Sequence, residues 1–382
     1  MTWGRNRGTA TAFRADSTAL AEEFENGYSP TAPMKLLQIH MVALGPFADV
    51  TVSFRGPDDQ ARGVTVVFGG GGVGKTSLLT AIASTRPAHA VPAMTRTGAG
   101  APAYAFAEWD LGDDDPDRPH ALRVASPHAP MDDTDEDRLR RREQTRFDRR
   151  AVEQGGFMLA SLPATRWFSR TSTTITTPLR GVLRYDVRAP QPFDDASHAD
   201  ISRETKLGLA YAGLVSRLPE PDTGRPSLSL AVLDEAMRDL LRRLLALVSM
   251  RYLGIDPYTL EPTFATEQGE VVPFDRLPTS VRHLVAFAVL PVRALFAAYP
   301  GRDPRMTEGV ILIDEVALHQ DPSVQRGLVH ALRGALPRVQ WILTTSSPEV
   351  TAACEPHEVL ALRRMPASKK VELFEGPLAT LH

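Results

Sequence analysis

The sequence predicts an α/β fold: a parallel or mixed sheet with helices packed on it, interrupted by a helical insertion between its two halves. Three observations predict it. Val64-Thr65-Val66-Val67-Phe68 is a short β-branched run that leads through Gly69-Gly70-Gly71-Gly72-Val73-Gly74-Lys75-Thr76 into a helical start at Ser77–Ala83. Val310-Ile311-Leu312-Ile313 is an apolar run of strand length that ends on Asp314-Glu315. Beyond Leu230, strand-like runs alternate with helical patterns, as in sheets whose strands are buried under helices.

The bulk properties narrow the function classes. A chain of 382 residues has room for two average domains, or for one large domain with insertions. With 43% hydrophobic residues it can build a substantial core. A net charge of −3 gives no general attraction to nucleic acid or to an anionic membrane, so any such contact has to be a local patch. Cys354 is the sole cysteine, which excludes a disulfide framework and a cysteine-based zinc site. The most apolar run, His283 to Ala298, is broken by Pro291 and Arg293, so no membrane span is expected. No basic segment followed by an apolar core opens the chain; no secretory signal is expected, and the expected location is the cytoplasm.

Residues 1–33 read as a flexible N-terminal extension, with a helical turn at Ala19–Phe24 and a linker at Ser29–Pro33. Residues 34–83 form the first lobe: strands at Met34–Met41 and Val50–Phe54 about the turn Gly45-Pro46, then the glycine-rich segment. Residues 84–229 are expected to be an insertion of helical character. It carries acidic loops at Asp110–Asp117 and Asp132–Asp137 and a basic helix at Arg138–Arg150. Glu136/Arg140 and Asp137/Arg141 sit four apart there and can pair along one face. A Ser/Thr-rich stretch at Thr171–Thr177, a strand at Gly181–Arg188, a helix at Ser202–Leu218 and a linker at Pro219–Pro226 follow.

Residues 230–382 form the second lobe. Its clearest helix is Leu230–Leu253, with one apolar stripe through Leu233, Met237, Leu240, Leu241, Leu244, Leu245 and Val248. Asp234/Arg238 and Asp239/Arg243 support the opposite face. Thr263–Phe274 reads as a hairpin centred on Gln268-Gly269. Leu277-Pro278-Thr279-Ser280 precedes a long helix, the strand before Asp314 follows, and another strand, Val339–Thr345, ends at Ser346-Ser347-Pro348. Val359–Leu362 and Val371–Phe374 close the chain as strands.

The glycine-rich segment has the form G-x-x-x-x-G-K-[ST], between a strand and a helix. Its glycines let successive N–H groups turn inward on an anionic phosphate, and the helix N-terminus adds partial positive charge. On this reading Gly69, Gly70, Gly71, Gly72, Val73, Gly74, Lys75, Thr76 and Ser77 bind nucleotide. Lys75 reaches the β- and γ-phosphates, and the Thr76 hydroxyl ligates Mg²⁺. A buried strand delivers Asp314-Glu315 to the same carboxyl edge of the sheet. Asp314 then holds Mg²⁺, and Glu315 polarises the attacking water as a general base, so Lys75 and Glu315 are the expected catalytic residues.

With these motifs in place, the chain resembles the RecF/SMC-like branch of the ABC-type ATPases. Met34-Lys35-Leu36-Leu37-Gln38-Ile39 with Gly45-Pro46-Phe47 is similar to the opening strand and turn of those heads. Asp314-Glu315-Val316-Ala317-Leu318-His319-Gln320-Asp321-Pro322 resembles Walker B running into the D-loop, and Leu284–Ala288 resembles the helix after the signature. The resemblance covers Met34 to about Ala83 and Leu230 to the C-terminus. It implies an ABC-type P-loop ATPase head using ATP and Mg²⁺, with two heads docked face to face as a homodimer over two nucleotides. Thr279 and Ser280 then stand at the signature, Asp321 is the D-loop aspartate and Ser346 occupies the switch position. It implies slow hydrolysis that controls head dimerisation or a partner protein such as an effector or nuclease, in DNA repair or antiphage defence.

Two departures from the family pattern bear on turnover. Where the family has Leu-Ser-Gly-Gly or Leu-Ser-Ser-Gly, this chain has Leu277-Pro278-Thr279-Ser280, and its Thr-His-Ser-Pro appears as Thr345-Ser346-Ser347-Pro348. Gln144, Gln154 and Gln191 are open alternatives for the Q-loop glutamine. Pro278 and Ser346 leave room for a rival reading, a nucleotide-binding scaffold with negligible hydrolysis. The basic run Arg138–Arg150 leaves room for another, a nucleic-acid-binding ATPase.

Overall fold

The computed structural model describes residues 35–85, 103–110, 122–126, 129–130, 134–154, 158–173, 200–217, 231–299 and 302–380. The expectations for residues 1–33, most of the acidic loops, Thr174–Thr177, Gly181–Arg188, Gln191 and Pro219–Pro226 lie outside those residues.

Six strands build the central sheet: β3 (Val64–Gly69), β6 (Leu159–Leu162), β10 (Gly309–Ile313), β11 (Val339–Thr345), β12 (Val359–Arg364) and β13 (Val371–Glu375). Their order is β13-β12-β3-β11-β10-β6, and every neighbour is parallel except the β12–β13 pair. Both faces are covered, so β10 and β11 are buried along their whole length and read as continuous apolar runs. Alternation along the strand decides only which core a side chain enters. Val310 and Leu312 enter one core, Ile311 and Ile313 the other.

Over the first face lies an antiparallel sheet of order β2-β1-β4-β5, made of β1 (Lys35–Leu44), β2 (Phe47–Ser53), β4 (Tyr104–Asp110) and β5 (Leu122–Ala125). Helix α1 (Lys75–Ser84) fills the space between the two sheets with Leu78, Leu79 and Ile82. The sheets are also tied by fully buried Gln340, whose amide exchanges two hydrogen bonds with the Leu36 backbone, at 2.7 and 2.9 Å.

The second face carries α3 (Ser202–Val215), α4 (Ala231–Ala246), α5 (Thr279–Ala298) and α6 (Pro322–Ala335). The predicted α4 stripe from Leu233 to Leu245 is buried in this core, and Arg238 and Arg243 pair with Asp234 and Asp239 on the outer side. Helix α5 is long and apolar enough to cross a membrane, but 83% of that stretch is buried inside the protein, as in a core helix. Helix α6 opens on Pro322, with Asp321 at the N-cap position; the proline ring presets φ where no intrahelical N–H bond is needed. A three-stranded antiparallel sheet, β7 (Met250–Ile255), β8 (Pro262–Thr266) and β9 (Val271–Pro273), flanks the helices.

Three expectations change. The helix expected at Leu230–Leu253 stops at Ala246; Ser249 takes φ +51° and Met250 starts β7, because pairing with β8 outweighs the helical pattern. On α2 (Asp135–Gln154), Asp137 pairs with Arg140, three residues on, rather than with Arg141 as expected, and Arg138 pairs with Asp135; the expected Glu136/Arg140 pair involves a side chain outside the described residues. Segment 84–229 contains α2 and α3, as a helical region should, yet it also supplies β4 and β5 to the antiparallel sheet and β6 to the central one. Leu159-Ala160-Ser161-Leu162 has no β-branched residue, and Ala105 and Ala107 dilute β4, so neither strand signals itself locally.

Candidate nucleotide site

Strand β3 ends at Gly69 and α1 begins at Lys75, so residues 70–74 make the whole turn. A Cβ on Gly69 would lie 2.6 Å from the Leu362 carbonyl of β12. Gly74 takes φ +99° and faces Pro46 and Phe47, so a Cβ there would collide with them at 2.5–2.8 Å. Gly45, at φ +50°, packs in turn on Ser77. The β1–β2 turn therefore braces the glycine-rich loop. Gly70 and Gly71 are exposed with nothing within 4 Å of their Cβ positions, which leaves the outer rim of the loop open.

The Lys75 side chain is 7% exposed and curls into this loop. Its ammonium donates to the carbonyls of Gly69 (2.7 Å) and Gly70 (2.9 Å) and lies 3.0 Å from Glu315 Oε1. Beside it Thr76 Oγ1 donates to Asp314 Oδ2 at 2.7 Å. Asp314 is 1% exposed, and Thr344 Oγ1 donates to its other oxygen. The Glu315 N–H donates to the same Thr344 hydroxyl at 2.8 Å, and Ser346 Oγ donates to Glu315 Oε2 at 3.3 Å. The parallel register sets this meeting: Ile313 lies opposite Leu343, so the next residues of β10 emerge beside Thr344 and Ser346.

The donor set fits Mg²⁺ with a nucleotide. A hydroxyl and one carboxylate face each other beside a buried ammonium, and Mg²⁺ takes oxygen ligands while leaving positions for water and phosphate. Among the described residues no three His, Cys, Asp or Glu side chains form a metal cage.

Lys75, Thr76, Asp314, Glu315 and Ser346 thus come together. The signature-like residues lie elsewhere. Thr279 and Ser280 open α5 after the N-cap Pro278, and Gln320 Nε2 donates to the Ser280 carbonyl at 3.0 Å. Asp321 is exposed at the start of α6. Among the described residues no hydrogen bond joins Thr279, Ser280 or Asp321 to the glycine-rich loop. Just inside α5, His283 stacks on His319 (centroids 5.1 Å apart, planes at 23°), meets Phe168 edge-on and bonds through Nδ1 with the Thr279 carbonyl. Burial, then the nearby Arg166 charge, pushes the His283 pKa down to about 3.

Arg166 was not singled out in the sequence. It follows β6, is 3% exposed, and its guanidinium donates to the carbonyls of Asp314 (2.6 Å) and Glu315 (2.8 Å). Of the glutamines considered for the place beside this pair, Gln144 and Gln154 are on α2, while the segment after β6 presents Arg166. The only signal available was a basic residue a few positions after a strand too short to read.

A glycine-rich loop opening α1, a strand of the same sheet, one removed from the loop's strand, that ends at Asp-Glu, and an antiparallel sheet roofing one face define the ABC-type ATPase head of the SMC/RecF kind, and the chain has that fold. It aligns over 89% of its length with 98% of an SMC head crystallised bound to the C-winged helix domain of ScpA, with a TM-score of 0.50 and 13% identity. No protein-family profile matches the chain. It is similar to the Septu protein PtuA of Bacillus thuringiensis, 28% identical over 30% of this chain and 29% of that protein. It is also similar to the Retron Vc95 probable ATPase of Vibrio cholerae, 27% identical over 26% of this chain and 20% of that protein. The matches span less than a third of either curated relative.

Proposed function

We propose that the chain is a Mg²⁺-dependent ATPase whose nucleotide state controls pairing of two heads and engagement of a partner protein. One observation carries the reading: Lys75, Thr76, Asp314 and Glu315 meet within direct contact distance at the carboxyl edge of one sheet. Lys75 and the loop N–H groups bind the β- and γ-phosphates, and Gly69 to Ser77 shape the cradle. Thr76 and Asp314 hold Mg²⁺, which supplies charge neutralisation on the phosphates. Glu315 orients a water and accepts its proton, while Ser346, in contact with Glu315, offers a hydroxyl where a histidine would offer charge.

Similarity to a protein named as a probable ATPase supports hydrolysis, and likeness to parts of a Septu protein and a retron ATPase fits the defence arm of the expected roles. The SMC head named above was crystallised with a partner protein, which supports a partner-dependent reading here. The rival, a scaffold that binds nucleotide without turning it over, is favoured by Pro278 at the signature and Ser346 at the switch.

Isothermal titration and phosphate release separate the two. Lys75→Ala should lose ATP binding with the fold intact. Glu315→Gln should bind Mg-ATP normally and lose about a hundredfold or more in turnover, the usual worth of a general base. Unchanged ATP affinity in Lys75→Ala removes the nucleotide site, and a wild type no faster than Glu315→Gln establishes the scaffold.

A further inference from the structure

The backbone of the Asp314-Glu315 pair is gripped from the neighbouring strand. Leu162 of β6 lies opposite Ile313, and the Asp314 N–H donates to the Leu162 carbonyl at 2.9 Å. The chain then turns at Pro163, where Arg166 bonds back to the Pro163 carbonyl through Nη1 at 2.9 Å. The same nitrogen donates to the Asp314 carbonyl, and Nη2 donates to the Glu315 carbonyl. Glu315 has φ +46°, in the left-handed region that residues with a Cβ disfavour. On the far side the N–H groups of Glu315 and Val316 bond to Thr344, at Oγ1 (2.8 Å) and the carbonyl (2.9 Å). The left-handed turn is therefore held from two directions, and its side-chain result is a Glu315 carboxylate placed between Lys75 and Ser346. The Arg166 guanidinium also lies over the Phe287 ring of α5, 5.1 Å from its centroid, which packs the helix that Thr279 opens against this turn.

We propose that Arg166 is a positioning residue for hydrolysis, its guanidinium holding the left-handed Glu315 turn so that the Glu315 carboxylate stays at the phosphate loop. This rests on the ATPase reading above. The role needs a fork: two donors at fixed spacing serve two carbonyls at once, whereas a lysine ammonium is a single compact point that serves them less well. Burial pushes the Arg166 pKa down to about 10, so the side chain is cationic at neutral pH, facing backbone carbonyls as well as the charges of Asp314 and Glu315.

The test uses the full chain as wild type, Arg166→Lys, Arg166→Met and Glu315→Gln. Three quantities are measured: ATP affinity by isothermal titration, steady-state turnover, and hydrogen–deuterium exchange of the peptide spanning residues 314–320. Arg166→Met should lower kcat by roughly tenfold or more while the Kd for Mg-ATP stays within about threefold. Arg166→Lys should recover part of that loss, and both variants should exchange faster across the turn. Wild-type kcat in both variants, or unchanged exchange, overturns the proposal. So does a parallel loss of affinity and turnover in Arg166→Lys, which would make the residue a general structural support. Should Arg166→Met fail to fold, the lysine variant carries the decision. If wild-type turnover does not exceed that of Glu315→Gln, the ATPase reading fails by itself. Exchange then decides: faster exchange keeps the hold on the turn, and unchanged exchange removes it.

Discussion

His283 sits in an environment hostile to a positive charge. It is fully buried among Phe168, Phe287 and the stacked His319 ring, with the Arg166 guanidinium and, on its own helix, Arg282 acting against a positive charge. Its pKa is lowered to about 3, against an ordinary value near 6.5 in the unfolded chain. The unfolded chain therefore binds a proton between those values while the folded chain does not. The stabilisation from a neutral His283 is complete above pH 6.5 and is lost as pH falls toward 3. At pH 5 the loss is on the order of 2 kcal/mol. Urea midpoints at pH 7.5 and pH 5 should differ more for wild type than for His283→Phe, and equal differences would mean that His283 protonates without penalty.

Among the elements, α3 is joined to the β7–β8–β9 sheet and to the approach to α5 through one buried cation. The Lys206 side chain is 1% exposed and donates to the Thr171 carbonyl (2.7 Å), Glu261 Oε1 (3.0 Å) and Asp275 Oδ2 (2.8 Å). Glu261 precedes β8, and Asp275 lies in the 3₁₀ turn just before Leu277-Pro278. Removing the ammonium leaves two partly buried carboxylates facing each other. Lys206→Ala should therefore cost about 3 kcal/mol in chemical denaturation. Adding Glu261→Gln and Asp275→Asn should return much of that loss, because the repulsion goes with the charges. A Lys206→Ala chain as stable as wild type would show that the Lys206 cluster adds nothing to the hold on α3.

At the scale of the whole molecule, a single chain brings Lys75 to Glu315 but leaves Thr279 and Ser280 beside Gln320, with no hydrogen bond to its own glycine-rich loop among the described residues. On the proposed function, the Thr279-Ser280 turn meets the nucleotide of a second head, where its N–H groups and the α5 dipole face the γ-phosphate. An acidic side chain there sets like charges together. In the Glu315→Gln background, ATP should double the mass seen by light scattering, and Ser280→Glu should abolish the doubling without weakening ATP binding to the monomer. A dimer that survives Ser280→Glu would exclude this turn from the interface. Asp321, exposed on the adjoining helix start, is the neighbouring position at which Asp321→Ala should weaken the same dimer.

The sequence by itself determined the glycine-rich loop, the acidic pair and the parallel strands that carry them. Each is a contiguous stretch whose requirement is local: Gly74 must adopt φ +99°, and β10 must be apolar on both faces because both faces are covered. Tertiary structure alone decided the rest. Arg166 reaches Asp314 across a separation of 148 residues, from just beyond a four-residue strand with no β-branched signal. Thr344 reads as one more polar residue near a strand end until the β10–β11 register puts it against both acidic residues. Strands β4 and β6 of segment 84–229 were settled in the same way, by partners far along the chain, and the end of α4 by the pairing of β7 with β8. Such contacts leave no periodicity in the stretch that makes them, since the geometry belongs to the sheet and not to the segment.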